Sequence, residues 1–282
     1  MQILNTVSDL RAVLNVWRMA GDSIAFVPTM GNLHAGHIDL VNKAKACADR
    51  VVVSIFVNPT QFGVGEDYAS YPRTEYADQD KLLAVGTDVL FLPTVTEIYC
   101  LDAAAMVTVS GISEQYCGAF RPGHFSGVAT VVCKLFNIVQ PNKALFGLKD
   151  FQQLIVIKTM VRDLNIPVEI ISVETVREVS GLALSSRNGY LTDLEKQVAP
   201  ELYRILCFAK ALVLEGKLSI TEIEQQAVKK LDSYGFKTDY LSICRIRDLN
   251  PASSEDIEFV ILTAAKLGKT RLIDNICFSK IL

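Results

Sequence analysis

Phe26-Val27-Pro28-Thr29-Met30-Gly31-Asn32-Leu33-His34-Ala35-Gly36-His37 is an apolar run that ends in a glycine-punctuated turn carrying two histidines. Ile24 to Val27 read as a short buried strand, and Ile38, Leu40, Val41, Ala44 and Cys47 recur at helical spacing, so Gly36 and His37 fall at a helix start. A strand that feeds a helix N-terminus is an anion site, because first-turn N–H groups and the positive end of the helix dipole face whatever lies above the sheet. Two imidazoles three residues apart can grip phosphate oxygens there, or donate a proton. A metal is the weaker reading, since the chain has three histidines and no cysteine pair at ligand spacing. The plainest reading, a turn residue and a helix cap, stands beside these.

The 282 residues are half apolar, enough for one large or two ordinary domains with a sizeable core. Lys and Arg total 28 against 31 Asp and Glu, a formal charge of −3, so there is no general basic field for nucleic acid. The opening residues show no charged leader with an apolar core, and no stretch of about eighteen apolar residues follows, so neither secretion nor membrane spanning is expected. Seven scattered cysteines, an odd number, read as reduced core residues of a cytoplasmic protein.

Around the quoted stretch the pattern alternates. A helix over residues 7–20 precedes the first strand, and Val51 to Val57 is a continuous β-branched run, the mark of a strand covered on both faces. It ends in Asn58-Pro59-Thr60-Gln61-Phe62-Gly63. In open α/β sheets ligands bind beyond the carboxyl ends of the strands, which is where Gly31 to His37 and Gln61 must both lie. The Gln61 amide can donate and accept at once, which suits a hydroxy acid, although a turn glutamine is more often solvated. Residues 63–72 read as a loop, either a lid or a plain connection.

A helix over 75–85 and a strand over 88–93 continue the alternation. Phe120-Arg121-Pro122-Gly123-His124-Phe125-Ser126-Gly127 is a second glycine-rich turn, opening an apolar helix over 128–139, with Arg121 and His124 as a second candidate anion contact or as a solvated helix entry. After a strand over 143–146, Gly147-Leu148-Lys149-Asp150 repeats the strand, turn and helix design. A lysine at a helix N-terminus opposes the dipole, and an anionic ligand supplies a reason for Lys149 to be there. Gln153, four residues on, shares its face. A fifth strand over 168–173 closes the pattern.

Leu182-Ala183-Leu184-Ser185-Ser186-Arg187-Asn188-Gly189 then offers two hydroxyls and an arginine for negative charge. From Thr192 the texture changes to two amphipathic helices, 192–214 and 219–234, and three strands over 239–247, 258–264 and 271–278, a separate α+β unit. Two nucleotide motifs fail. Gly268-Lys269-Thr270 lacks the earlier P-loop glycine and reads as a hairpin turn, and Gly63-Val64-Gly65 opens no helix.

With His34-Ala35-Gly36-His37, Gly147 to Asp150 and Ser185-Ser186-Arg187 quoted, the chain resembles the His-x-Gly-His class of the nucleotidyltransferase superfamily and, within it, the pantothenate synthetase family. Pro28 to His37, Asn58 to Phe62, Tyr71-Pro72-Arg73-Thr74, Arg121 to Phe125, Phe146 to Gln153, Leu182 to Leu191 and Arg271-Leu272-Ile273-Asp274-Asn275 are similar to that family's motifs, in order and at its spacing. The resemblance implies a Rossmann-like parallel sheet over 1–175 that binds ATP and pantoate, with a smaller C-terminal α+β lid domain over 176–282. It implies ATP-dependent condensation of (R)-pantoate with β-alanine through pantoyl adenylate, in a cytoplasmic homodimer using magnesium.

Carried over by position, Met30, Gly31, Asn32, Leu33, His34, Ala35, Gly36, His37, Gly147, Leu148, Lys149, Asp150, Val176, Leu184, Ser185, Ser186 and Arg187 hold ATP. Gln61 and Gln153 hold pantoate, with Asn58 and Arg121 as neighbours, and Asp78 is a magnesium contact. His37 is the proton donor, with His34 and Lys149 catalytic beside it. Leu148, Thr60 and Cys100 depart from the family pattern, and Leu148 leaves only its backbone to contact a nucleotide. Two rivals are a sibling nucleotidyltransferase acting on a phosphorylated substrate and a silent nucleotide sensor on the same fold.

Overall fold

Ile24–Val27, Val51–Val53 and Val89–Phe91 carry no polar face, and every one of these residues is buried. Only a sheet covered by helices on both sides gives such runs a place. The structure, a computed structural model, describes residues 1–280. Its strands are β1 (Gln2–Leu4), β2 (Ile24–Thr29), β3 (Arg50–Ile55), β4 (Val89–Phe91), β5 (Lys143–Gly147), β6 (Glu169–Val173), β7 (Phe236–Arg245), β8 (Glu258–Leu267) and β9 (Thr270–Ser279).

The first six form one sheet in the order β1-β4-β3-β2-β5-β6, with every neighbouring pair parallel. From β2 the chain proceeds outward to β3 and β4 on one side and later to β5 and β6 on the other. The order therefore reverses between β2 and β5, the crevice where open α/β sheets take ligands. The turn after β2 is Met30 to His34, and the helix Ala35–Cys47 follows it. The Rossmann-like parallel sheet that the resemblance implied is the fold observed, together with a three-stranded antiparallel sheet, β7-β8-β9.

The chain divides into two compact units, Met1–Leu148 with Val156–Glu174, and Lys149–Ile155 with the residues from Thr175 onward. In the second, the helices Glu201–Glu215 and Ile220–Ser233 bury Leu202, Ile205, Leu206, Ile223, Ala227 and Leu231 against Phe236, Ile243, Phe259 and Ile261 of its sheet. Leu267 pairs with Thr270, so Gly268-Lys269 is the two-residue hairpin turn that the rejected P-loop reading suggested.

Three elements differ from expectation. The parallel sheet has a sixth strand, β1, a three-residue edge whose Leu4 carbonyl accepts the N–H of Leu92 at 2.8 Å. The helix expected at 128 begins at His124, because Gly127 lets its first turn press on the Asn58–Gln61 turn: a Cβ there would stand 2.3 Å from the Thr60 carbonyl oxygen. The helix expected over 192–214 is two, Asp193–Val198 and Glu201–Glu215, because Pro200 has no N–H and its ring obstructs the preceding turn.

Candidate active site

The turn after β2 is held by its backbone. Gly31 and Asn32 both take left-handed conformations, φ 82° and 50°. Gly31 is there of necessity, since a Cβ would meet the Ile55 side chain at 3.0 Å and Asp78 at 3.3 Å. Thr29 Oγ1 donates to the Ser54 carbonyl at 2.8 Å and accepts the Gly31 N–H at 3.2 Å. Asp78, wholly buried at the start of the helix Glu75–Ala84, accepts the N–H groups of Asn32 and Leu33 at 2.8 Å each, one on each carboxylate oxygen, and the Thr74 hydroxyl at 3.1 Å. Lys81 completes the clamp by donating to the Leu33 carbonyl at 2.6 Å.

His34 is the N-cap of the helix Ala35–Cys47, and it forms a capping box with His37. The His34 Nδ1 accepts the Gly36 N–H at 3.2 Å, and the His37 Nδ1 accepts the His34 N–H at 3.3 Å, with the rings 4.1 Å apart. The plain reading of these histidines as a cap is therefore right, and the cap fixes which ring nitrogen carries the proton. An Nδ1 that accepts has no proton, so each neutral ring carries its proton on Nε2 and presents a donor there. The expectation of bare first-turn N–H groups needs correcting. The Gly36 N–H is spent on His34 Nδ1 and the His37 N–H on the His34 carbonyl.

Asn58 is almost entirely buried and its side chain is consumed by structure. Its oxygen accepts from Thr60 and from the Tyr99 hydroxyl, and its Nδ2 donates to Gln61 Oε1 and to the Gly127 carbonyl, both at 3.1 Å. Gln61 is thereby aimed, and its Nε2 reaches Met30 Sδ at 3.1 Å, a weak acceptor that a carboxylate or hydroxyl can replace. A cavity of about 180 Å³ adjoins the turn after β2, walled by Met30, Gly31, Phe56, Tyr68, Thr74 and Asp78.

The second glycine-rich turn does not hold its arginine open for an anion. Arg121 makes a bidentate pair with Glu66, both contacts 2.6 Å. Burial pushes the Glu66 carboxyl up, but the Arg121 hydrogen bonds and charge more than offset this, and it titrates below its ordinary value. The His124 Nδ1 lies 2.8 Å from the Gln61 carbonyl oxygen, which can only accept, so His124 is protonated on Nδ1 and its Nε2 accepts from Arg121 at 3.0 Å. Arg121 and His124 thus brace the backbone of Gln61, and Glu66 ties down the 63–72 loop.

Asp78, the residue that the resemblance made a magnesium contact, has both oxygens engaged by loop N–H groups.

In the second unit, Lys149 stands in the short turn Leu148–Asp150 ahead of the helix Phe151–Asp163, its Nζ 3.9 Å from Asp150 and its side chain mostly covered. Gln153 is half-buried on the first turn of that helix. Val176 and Leu184 are brought together, with the Leu184 N–H donating to the Val176 carbonyl at 3.0 Å. Ser185 caps the turn Ser186–Tyr190 by accepting the Arg187 N–H at 3.3 Å. Asn188 Nδ2 braces the turn against the Ala183 carbonyl at 3.0 Å, a role that no pattern of residues had signalled.

A capped helix with paired imidazole donors, opening at the switch point of a parallel sheet, defines a nucleotide-binding α/β enzyme. The family model of pantoate-beta-alanine ligase matches residues 2–277, and the chain belongs to that family. It is a ligase. A pantothenate synthetase of Methylococcus capsulatus is 56% identical over 281 residues, covering 99% of this chain and 98% of that one. The pantothenate synthetase of Thermus thermophilus superposes with a TM-score of 0.91 at 45% identity, covering 98% of this chain and 99% of its own. A Francisella tularensis pantoate-beta-alanine ligase, solved with beta-gamma ATP and beta-alanine, gives a TM-score of 0.83 at 37% identity over 98% of this chain and 97% of its own. No helix among the described residues is long and apolar enough to cross a membrane.

Proposed function

We propose a division of labour by which this chain carries out the reaction of its family, the ATP-dependent condensation of (R)-pantoate with β-alanine. In the first half-reaction a pantoate carboxylate oxygen attacks the α-phosphorus, an O–P bond forms, the bond to the β-phosphate bridging oxygen breaks, and diphosphate leaves. In the second the β-alanine amine attacks the acyl carbon of pantoyl adenylate, the bond to AMP breaks, and the amine gives up its proton. The protein forms no covalent bond in either. Its work is to neutralise the triphosphate and to hold two anions together, which is positioning and electrostatic stabilisation.

The observation that carries this reading is the histidine capping box, because it fixes two Nε2–H donors at a helix N-terminus. His37 and His34 serve the α-phosphate, where negative charge develops, and Lys149 serves the same triphosphate. The residues from Met30 to His37, Gly147 to Asp150, Val176 and Leu184 to Arg187 hold ATP. Gln61 and Gln153 hold pantoate, while Asn58, Arg121 and His124 hold Gln61. In this assignment residues 1–175 form the ATP- and pantoate-binding domain, and 176–282 act as the lid that adds Val176 and Leu184 to Arg187.

Magnesium, when it accompanies the triphosphate, supplies further charge neutralisation, and no step here is assigned to it. A homodimer belongs to the same proposal, supported by the exposed apolar side chains of Leu101, Met106 and Phe120. So does a cytoplasmic location, supported by the odd, scattered cysteines.

The test is exchange of labelled diphosphate into ATP. It should require pantoate and proceed without β-alanine, and exchange that appears only with β-alanine would sink the two-step reading.

A further inference from the structure

The Arg271-Leu272-Ile273-Asp274-Asn275 segment is left without a task by the assignments above. It lies on β9, the edge strand of the three-stranded sheet. Asp274 and Asn275 are consecutive, so their side chains leave opposite faces of the strand, yet both are buried. Two buried polar side chains in succession on an edge strand add nothing to a hydrophobic core, and a buried carboxylate costs more than an apolar residue unless it is paired.

Both are fully engaged, and the engagements form a chain. Asn275 Nδ2 donates to the Lys149 carbonyl oxygen at 2.9 Å, across 126 residues of sequence. The Asn275 main chain is held in turn: its N–H donates to Asp274 Oδ1 at 2.8 Å, and its carbonyl accepts from Arg177 at 3.2 Å. Arg177 closes on both Asp274 oxygens at 2.6 and 2.9 Å, donates to the Gly181 carbonyl at 3.2 Å, and lies 3.6 Å over the Tyr203 ring. Burial pushes the Asp274 carboxyl up, and Arg177 pulls against it. A planar guanidinium with four hydrogen bonds and an aromatic face beneath it has no second orientation to adopt.

We propose that Asn275 is a positioning residue for Lys149, transmitting the rigidity of the Arg177–Asp274 pair to the turn that aims the lysine. The inference deepens the assignment of Lys149 above and rests on it. Lys149 sits in a turn ahead of its helix, and the Asn275 amide fixes the carbonyl of that same residue. The sheet thereby reaches the chemistry through a main-chain atom, with no contact to substrate.

The test is a double-mutant cycle on adenylation, read as kcat and KM for ATP in the pantoate-dependent exchange. Asn275→Leu and the near-isosteric Asn275→Asp each remove the donor, and two variants guard against one failing to fold. Each should lower kcat about tenfold to a hundredfold, the range for misplacing a catalytic group by about an ångström, with KM for ATP within about twofold. In a Lys149→Ala background the same substitutions should cost less than about twofold, because there is no lysine left to aim.

A full, additive loss in that background would overturn the inference while leaving Lys149 in the site. A Lys149→Ala enzyme with undiminished exchange would remove the assignment beneath it, and the inference with it. Unchanged kcat in folded Asn275→Leu and Asn275→Asp proteins would refute the inference alone.

Discussion

The carboxylate of Asp78 accepts the backbone N–H of Leu33 at 2.8 Å, across 45 residues, and with its other oxygen the N–H of Asn32. A helix from a later βα unit thus dictates the left-handed turn that leads into His34. Asp78→Asn keeps the shape but offers an N–H₂ group to one of the two loop amides, leaving a buried donor facing a donor. The variant should lose about 2–4 kcal/mol of stability in urea, the range for a broken buried charge-assisted pair, and should bind ATP more weakly. Because the carboxylate serves the loop, raising magnesium should not restore its exchange activity. Recovery of near-native rate at high magnesium would make Asp78 a metal ligand after all.

The two nitrogens of His37 can be tested apart. Asparagine places its oxygen near the Nδ1 position, so His37→Asn keeps the acceptor for the His34 N–H while losing the Nε2–H donor. Stability should stay within about 1 kcal/mol, the scale of a cap, while adenylation falls by about two to three orders of magnitude, the scale of one preorganised donor. His37→Gln should do the reverse, placing an amide near Nε2 at the expense of the cap. If the two variants lose stability and activity in the same proportion, the ring is only a cap.

The tie between Arg121 and Glu66 carries a pH signature. The Glu66 carboxyl titrates below its ordinary value of 4.5 because Arg121 outweighs the effect of burial. A depressed carboxyl contributes stability that is fully present above the unfolded value and is lost as pH falls through the folded one. Amide protection of residues 63–72 should therefore be constant from neutrality down to about pH 5 and should collapse below about 4.5, whereas Glu66→Gln should show weak protection at every pH. Hydrogen exchange read by mass spectrometry distinguishes the two, and a wild-type loop whose protection does not change with acid would dismiss the latch.

The strand, turn and helix around Val27 to Ile38 were legible because the change of hydrophobic period and the glycines that punctuate it are local signals. The same holds for β7 to β9, although each runs longer than its apolar run suggested. β1 was not legible, since three residues carry no period and become a strand only through β4. The site divides along the same line. His34, His37 and Lys149 announce themselves by type and place, whereas Asp78, Glu66 and Asn275 work through partners 45, 55 and 126 residues away. An acid in the first turn of a helix, or an acid in a loop, reads as surface until the partner is seen. The Asn58 side chain, expected beside the ligand, proved to be filled by the protein's own turn for the same reason.

Arg187 offers the sharpest separation of roles. Ser185 caps the turn that carries it, so the guanidinium stands on a short, braced loop, with the next residue, Asn188, anchored to the Ala183 carbonyl. In the proposed assignment this turn embraces the β- and γ-phosphates, and those leave as diphosphate when the adenylate forms. Nothing then remains for Arg187 to hold. Arg187→Ala should lower ATP-dependent adenylation by about two to four orders of magnitude, the range for removing a charge-assisted donor from a phosphoryl-transfer site. It should leave the conversion of supplied pantoyl adenylate and β-alanine within about threefold of the wild type, a difference of under about 1 kcal/mol in barrier. Gln153→Ala should impair both halves, because the pantoyl group is present in each. Single-turnover kinetics with ATP and pantoate, and separately with synthetic adenylate, make the comparison. Equal losses in the two assays for Arg187→Ala would mean that the turn closes over the substrates as a whole, and its assignment to the departing phosphates would have to be withdrawn.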